Sequence, residues 1–246
     1  MPNRIVLEIC VESVDRAVSA ERGGAHRVEL CSDLSSGGIT PSAGLMETAR
    51  RHVHIPIHVL IRPRAGNFIY SEREFEIMER DINVAKKLGM DGIVVGLLDD
   101  KKNVDVERTL KLVKLAGPLP VTFHRAFDQC KDSAEALEAV ITTGAKRILT
   151  SGGKSSVMDS LGRLAELVDA AGQRIAIMPG GGVIPSNVQR ILSRTGAGEI
   201  HTSLGMSNAA TNGSARVHTT AKLQERDAAG FEAKVRKVRE LLDRRN

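Results

Sequence analysis

The feature that most limits the folds open to this chain is an eightfold alternation of short β-branched runs with longer amphipathic segments. Strand candidates begin near Arg4, Ala25, Pro56, Asp91, Leu119, Lys146, Arg174 and Glu199. Every interval is wide enough for one helix and two loops, as parallel strands require. Helix starts are signalled by Ser13 before Val14, Ser71 with Glu74 three residues on, Asp132 before Ser133, and Pro185. Gly23, Gly89, Gly144, Gly172 and Gly196 each close a helical segment ahead of a strand. Such units build either an open doubly wound sheet or a closed barrel. Eight of them in 246 residues predict the barrel: an α/β, single-domain (β/α)8 TIM-type fold over 1–246.

One stretch breaks the rhythm. Asn208, Thr211, Asn212, Gly213 and Ser214 predict an irregular loop at about 206–229. Phe231, Val235, Val238 and Leu242 then recur at helical spacing and predict a closing basic helix at about 230–245. That helix explains the net charge of +5: residues 234–246 hold six Lys/Arg against Glu240 and Asp243, leaving the rest nearly neutral. A basic excess confined to one helix face reads as solvated surface, so no nucleic-acid partner is expected. No run approaches the roughly 18 apolar residues of a membrane span, and no signal-peptide core precedes the first strand. Three cysteines, an odd number, fit reduced thiols in a reducing compartment. A cytoplasmic protein without a membrane partner is therefore expected. With no Trp and one Tyr, the barrel should be filled by Val, Ile and Leu.

Side chains of one parity share one face of a strand, and here that parity carries polar groups toward the C-terminal strand ends. The first strand offers Glu8 and Cys10, the second Glu29 and Cys31, while Leu7, Ile9, Val28 and Leu30 face the helices. The third ends in Arg62 and Arg64, and the fifth in His124, Arg125 and Asp128. Ser151 and Gly152 follow the sixth, Gly180, Gly181 and Gly182 the seventh, and His201 and Ser203 close the eighth. A ring of buried polar groups implies mutual pairing or a ligand. Barrel sites lie at this face, often with an anion on the loops after strands seven and eight. Arg62, Arg64, Arg125, Ser151, Gly152, Gly180 to Gly182 and Ser203 are thus candidate substrate-binding positions. Glu8, Glu29, His124, Asp128 and His201 are candidate proton-transfer groups. His58 has the same parity but lies deeper, where it should fill the barrel with a hydrogen-bond partner. Cys10 and Cys31, on adjacent strands about 4.8 Å apart, could share a soft metal such as Cu(I).

Leu7–Cys10, Gly24–Cys31, Gly37–Gly38 with Thr40–Ser42, Ile61–Arg64, Val121–Asp128, Leu149–Gly152 and Met178–Gly182 together resemble the CutC family of copper homeostasis proteins. The resemblance covers roughly residues 5–205. It implies a TIM-type barrel, a cytosolic location, a homodimer or higher homo-oligomer, and Cu(I) binding with Cys10 and Cys31 as the metal thiols. Asn212 to Gln224 departs from the family pattern. A soft monovalent metal leaves the crowd of carboxylate, guanidinium and imidazole groups unexplained. These fit a second reading: a TIM-barrel enzyme, isomerase, lyase or hydrolase, acting on a small anionic or phosphorylated substrate. No lysine holds an inward position at a strand end, which disfavours Schiff-base chemistry.

Overall fold

The computed structural model describes residues 4–205 and 221–244. The elements run β1 (Val6–Val11), α1 (Val14–Arg22), β2 (Arg27–Leu30), α2 (Ala43–His52), β3 (Ile57–Leu60), α3 (Glu72–Lys87), β4 (Gly92–Val95) and α4 (Val106–Ala116). They continue as β5 (Val121–Phe123), α5 (Ser133–Thr142), β6 (Arg147–Thr150), α6 (Leu161–Ala171), β7 (Ala176–Pro179), α7 (Val188–Thr195), β8 (Glu199–Thr202) and α8 (Ala221–Asp243). All ladders are parallel between sequence neighbours, and β8 returns to pair with β1, bringing His201 beside Glu8. β7 and β8 lie side by side without a shared ladder, so the barrel is closed apart from this seam. No helix among the described residues is long and apolar enough to cross a membrane.

The helix starts follow their caps. Ser13 Oγ accepts from Arg16 N at 3.3 Å, Ser71 and Glu74 form a reciprocal capping box, and Asp132 accepts from Ala134 N at 2.7 Å. Pro185 does not open α7. A turn fastened by Asn187, whose Nδ2 donates to Gly182 O at 2.8 Å, intervenes and delays the helix to Val188. Gly23 serves for a different reason than its position suggests. Its φ is −72°, but a Cβ there would lie 2.6 Å from Val235 Cβ, so it permits close packing of α1 on α8.

The last helix begins at Ala221, well before the expected 230, so 221–229 is helical rather than irregular. The loop-forming residues Asn208 to Ser214 lie outside the described residues. From Ala221 onward Ala, Lys, Leu, Gln, Glu and Arg are strong helix formers, and Gly230 alone does not outweigh them. Phe231, Val235, Val238 and Leu242 are buried, whereas Lys234, Arg236 and Lys237 are exposed.

Most of the aliphatic core lies outside the strands. Leu7, Ile9, Val28, Leu30, Ile57, Val59 and Ile93 pack against helix residues such as Ala17, Met46, Met78, Ile82 and Val235. The interior carries charge beside a small apolar cluster of Cys10, Cys31, Leu60 and Val94, which corrects the expectation of a wholly Val/Ile/Leu filling. Arg27 donates through Nε to Glu8 and through Nη2 to Glu199 at 2.7 Å. Arg147 Nε donates to the same Glu199 oxygen at 3.0 Å, and its Nη1 donates to Thr122 Oγ1 at 3.3 Å. Glu8 is fully buried and Arg27 nearly so. His58 sits in this interior 3.9 Å from Glu8, but its Nδ1 has no hydrogen-bond partner, contrary to expectation. Gly92 makes room for the ring, since a Cβ there would overlap it.

Removing one member of a buried ion pair strands its partner's charge. Arg27→Met should therefore lower stability by about 3–5 kcal/mol in urea denaturation. Arg27→Met combined with Glu8→Gln should lose less than the two single changes added together.

Candidate functional site

The strands carry their side chains from the ion ladder toward the barrel mouth, and protonation changes along the way. Burial alone would raise Glu8, but Arg27 and His201 outweigh it and hold its carboxyl well below the usual range. His201 Nδ1 lies 2.7 Å from Glu8 Oε1 and 3.7 Å from Glu29 Oε2. Burial opposes a charge on this ring, yet the hydrogen bond to Glu8 and the nearby Glu29 push its proton affinity up. Glu29 lacks an arginine of its own; burial, with Glu8 adding, pushes its carboxyl up to about 7. The donor atoms of Glu8, Glu29 and His201 fall within 4.8 Å of one another. A proton on His201, held between the two carboxyls, accounts for this cluster.

Two residues farther along the same strands stand the thiols. Cys10 Sγ is 3.6 Å from Cys31 Sγ and 3.9 Å from Glu29 Oε1, and Cys31 Sγ donates to Val11 O at 3.5 Å. The hydrogen bond with Cys31, then burial, pushes the Cys10 thiol well up. Both cysteines are free.

Above them opens a cavity of about 570 Å³ at the C-terminal strand ends. Of the residues expected there, Cys10, Glu29, Cys31, Arg62, His124, Arg125, Gly181, Gly182, His201 and Ser203 line it. His124 ends β5 and caps the turn after it: its Nδ1 accepts from Ala126 N at 3.0 Å. Burial, with Arg62 adding, holds its ring neutral, down to about 3. The remaining proton therefore sits on Nε2. Arg62 clamps the surrounding loops, donating through Nη1 to Gly38 O at 2.7 Å and Ser36 O at 3.2 Å, and through Nη2 to Gly66 O at 2.8 Å.

Six other expected residues do not line the cavity. Glu8 lies beneath it in the ion ladder. Arg64 turns away to Glu74 at the start of α3 and to Ile69 O at 2.8 Å. The Asp128 carboxylate is consumed by the loop after β6, accepting from Ser151 N at 3.0 Å, Ser151 Oγ at 2.8 Å and Gly153 N at 3.1 Å, and pairing with Arg125. Ser151 is spent on that carboxylate and on Arg125, whose Nη2 donates to its Oγ at 2.8 Å. Gly152 packs on Ser160, and Gly180 lies between Leu149 and His201.

Sequence reasoning missed Arg27, Arg147 and Glu199, although all three share the inward parity at the N-terminal ends of their strands. It also missed Gly96, where a Cβ would overlap the His124 ring. A glycine directly after a buried strand was its available signal.

A nearly closed parallel eight-stranded barrel with a polar, ligand-sized cavity at the C-terminal strand ends defines a TIM-barrel protein, with the cavity at the face where such barrels carry their sites. The sequence matches the CutC family over residues 5–206, and the chain belongs to that family. It is 51% identical over 201 residues to the copper homeostasis protein cutC homolog of Mus musculus, covering 82% of this chain and 74% of that one. The Homo sapiens homolog of the same name is 50% identical over the same shares. The crystal structure of the CutC protein from Streptococcus agalactiae superposes with a TM-score of 0.78 at 35% identity, covering 81% of this chain and 98% of that one.

The raised Glu29 carboxyl has a measurable consequence. Its folded value is about 7 against an ordinary 4.5. Between these, the unfolded chain has released a proton that the folded chain keeps, so this group's contribution to stability falls as pH rises. His58 and His124, both held down to about 3, act oppositely and cost stability toward acid. The Glu29 effect is isolated by difference. From pH 5 to 7 the wild type should lose on the order of 2 kcal/mol more than Glu29→Gln, read by urea denaturation at each pH.

Proposed function

We propose that this protein serves copper homeostasis by holding Cu(I) between the thiols of Cys10 and Cys31 at the inner end of the cavity. The observation that carries this reading is the 3.6 Å separation of the two sulfurs, both reduced and both beside the cavity. Thiolates are soft ligands and select Cu(I) over hard divalent ions. The names of the mouse and human relatives point the same way. Glu8, Glu29 and His201 do not compete for the ion: the carboxylate oxygens are hard donors, and the His201 nitrogen facing them is taken by its hydrogen bond to Glu8.

Binding must displace thiol protons, and Glu29 is placed to receive one. Its Oε1 is 3.9 Å from Cys10 Sγ and its carboxyl titrates about neutrality. The affinity for Cu(I) accordingly weakens as pH falls.

Stoichiometric Cu(I) transfer from a chromogenic chelator to the reduced wild-type protein is the expected result, with no transfer to Cys10→Ser combined with Cys31→Ser. Undiminished transfer to the double variant, folded by its thermal transition, would sink the assignment of the thiols.

A further inference from the structure

Three buried polar atoms around the cavity have no hydrogen-bond partner among the described residues: Arg62 Nε, His124 Nε2 and Glu29 Oε2. Their residues are 5%, 6% and 5% exposed, and all three line the same cavity. Buried polar groups are satisfied almost everywhere in folded proteins, so three convergent exceptions mark a place where a ligand completes the set. Cu(I) does not complete it. A soft cation gains nothing from N–H donors and is repelled by a guanidinium, and a volume of about 570 Å³ far exceeds one ion.

We propose that this cavity binds a small hydroxylated oxyanion, with Arg62 and His124 donating to its charged end and Glu29 facing its hydroxyl. Both donors are held in place. Three of the other Arg62 N–H groups are tied to the Ser36, Gly38 and Gly66 carbonyls, and its guanidinium stacks 4.9 Å from the Phe68 ring centre, leaving Nε–H and one Nη2–H to give. The His124 ring is fixed by Ala126 N on Nδ1, and Gly96 keeps its berth open, so Nε2–H is the free donor. Among the described residues, the charged side chains lining the cavity are Arg62, Arg125, Glu29 and the protonated His201, a balance that favours an anion. The Glu29 oxygen left over can pair with a hydroxyl in either of its protonation states. The site does not depend on the thiols, so it stands or falls separately from copper binding.

The test uses the reduced, metal-free full chain, titrated calorimetrically with glycerate, glycerol 3-phosphate, acetate and inorganic phosphate. Glycerate and glycerol 3-phosphate distinguish a carboxylate from a phosphate; acetate and phosphate lack the hydroxyl. One hydroxylated probe should bind at least about ten-fold more tightly than its unhydroxylated counterpart. His124→Asn keeps an acceptor for Ala126 N but deletes the Nε2 donor, and should weaken that binding by about ten-fold or more with the unliganded Tm unchanged. In the wild type the same probe should shift the His124 Nε2 resonance, a readout independent of any variant. Absence of binding by all four probes at millimolar concentration overturns the proposal. So does equal binding of all four, or tight binding that neither weakens in His124→Asn nor shifts the Nε2 resonance.

Discussion

The barrel depends on one buried electrostatic arrangement: Glu199 accepting from both Arg27 and Arg147, with Glu8 taking the remaining face of Arg27. Arginine cannot shed its charge, so each guanidinium inside the strands must be matched by a carboxylate. That requirement fixes the register of β1, β2, β6 and β8 more strictly than apolar side chains would, because sliding a strand leaves a charge without its partner. It also acts at the seam. β7 and β8 share no ladder, yet the Arg147–Glu199 pair reaches from β6 to β8 and ties the two sides together.

The site inherits its protonation from this ladder. Next to Arg27, Glu8 is ionised, and its charge favours a protonated His201. One step farther out Glu29 has no arginine and sits near neutrality, and beyond it the Cys10 thiol is held protonated. The interior thus passes from fully charged to neutral over two turns of side-chain parity, with a proton acceptor placed where the thiols would lose theirs. His124, on the opposite wall, stays neutral and offers a donor.

The fold was legible because eight units with regular caps leave few alternatives, and strand parity correctly divided Leu7, Ile9, Val28 and Leu30 from the inward set. The site was legible in part, for a definite reason. Parity tells which side chains enter the barrel but not which loop atoms claim them. Asp128 and Ser151 looked free by sequence, whereas the loop after β6 folds back so that its N–H groups saturate the carboxylate. Arg64 shares the parity of Arg62 but lies past the strand, where the Glu74 carboxylate at a helix start draws it away. Arg27, Arg147 and Glu199 share the same inward parity but stand at the N-terminal ends of their strands, where a barrel carries no ligand and a charge has no evident partner in the sequence.

The pairing of β8 with β1 joins segments near opposite ends of the described barrel, with Glu8 set beside His201. Contacts so distant along the chain form late, since loop closure must precede them. While β8 is still undocked, the open interior would show water the Arg27–Glu8 pair and Arg147 along with a few aliphatics such as Leu60 and Val94, rather than an unbroken oily strip. Half-built barrels lined with oily side chains adhere to one another. A hydrated ionic lining makes the unfinished molecule a poor template for aggregation, so the charges that impose order on the completed barrel also shield its assembly.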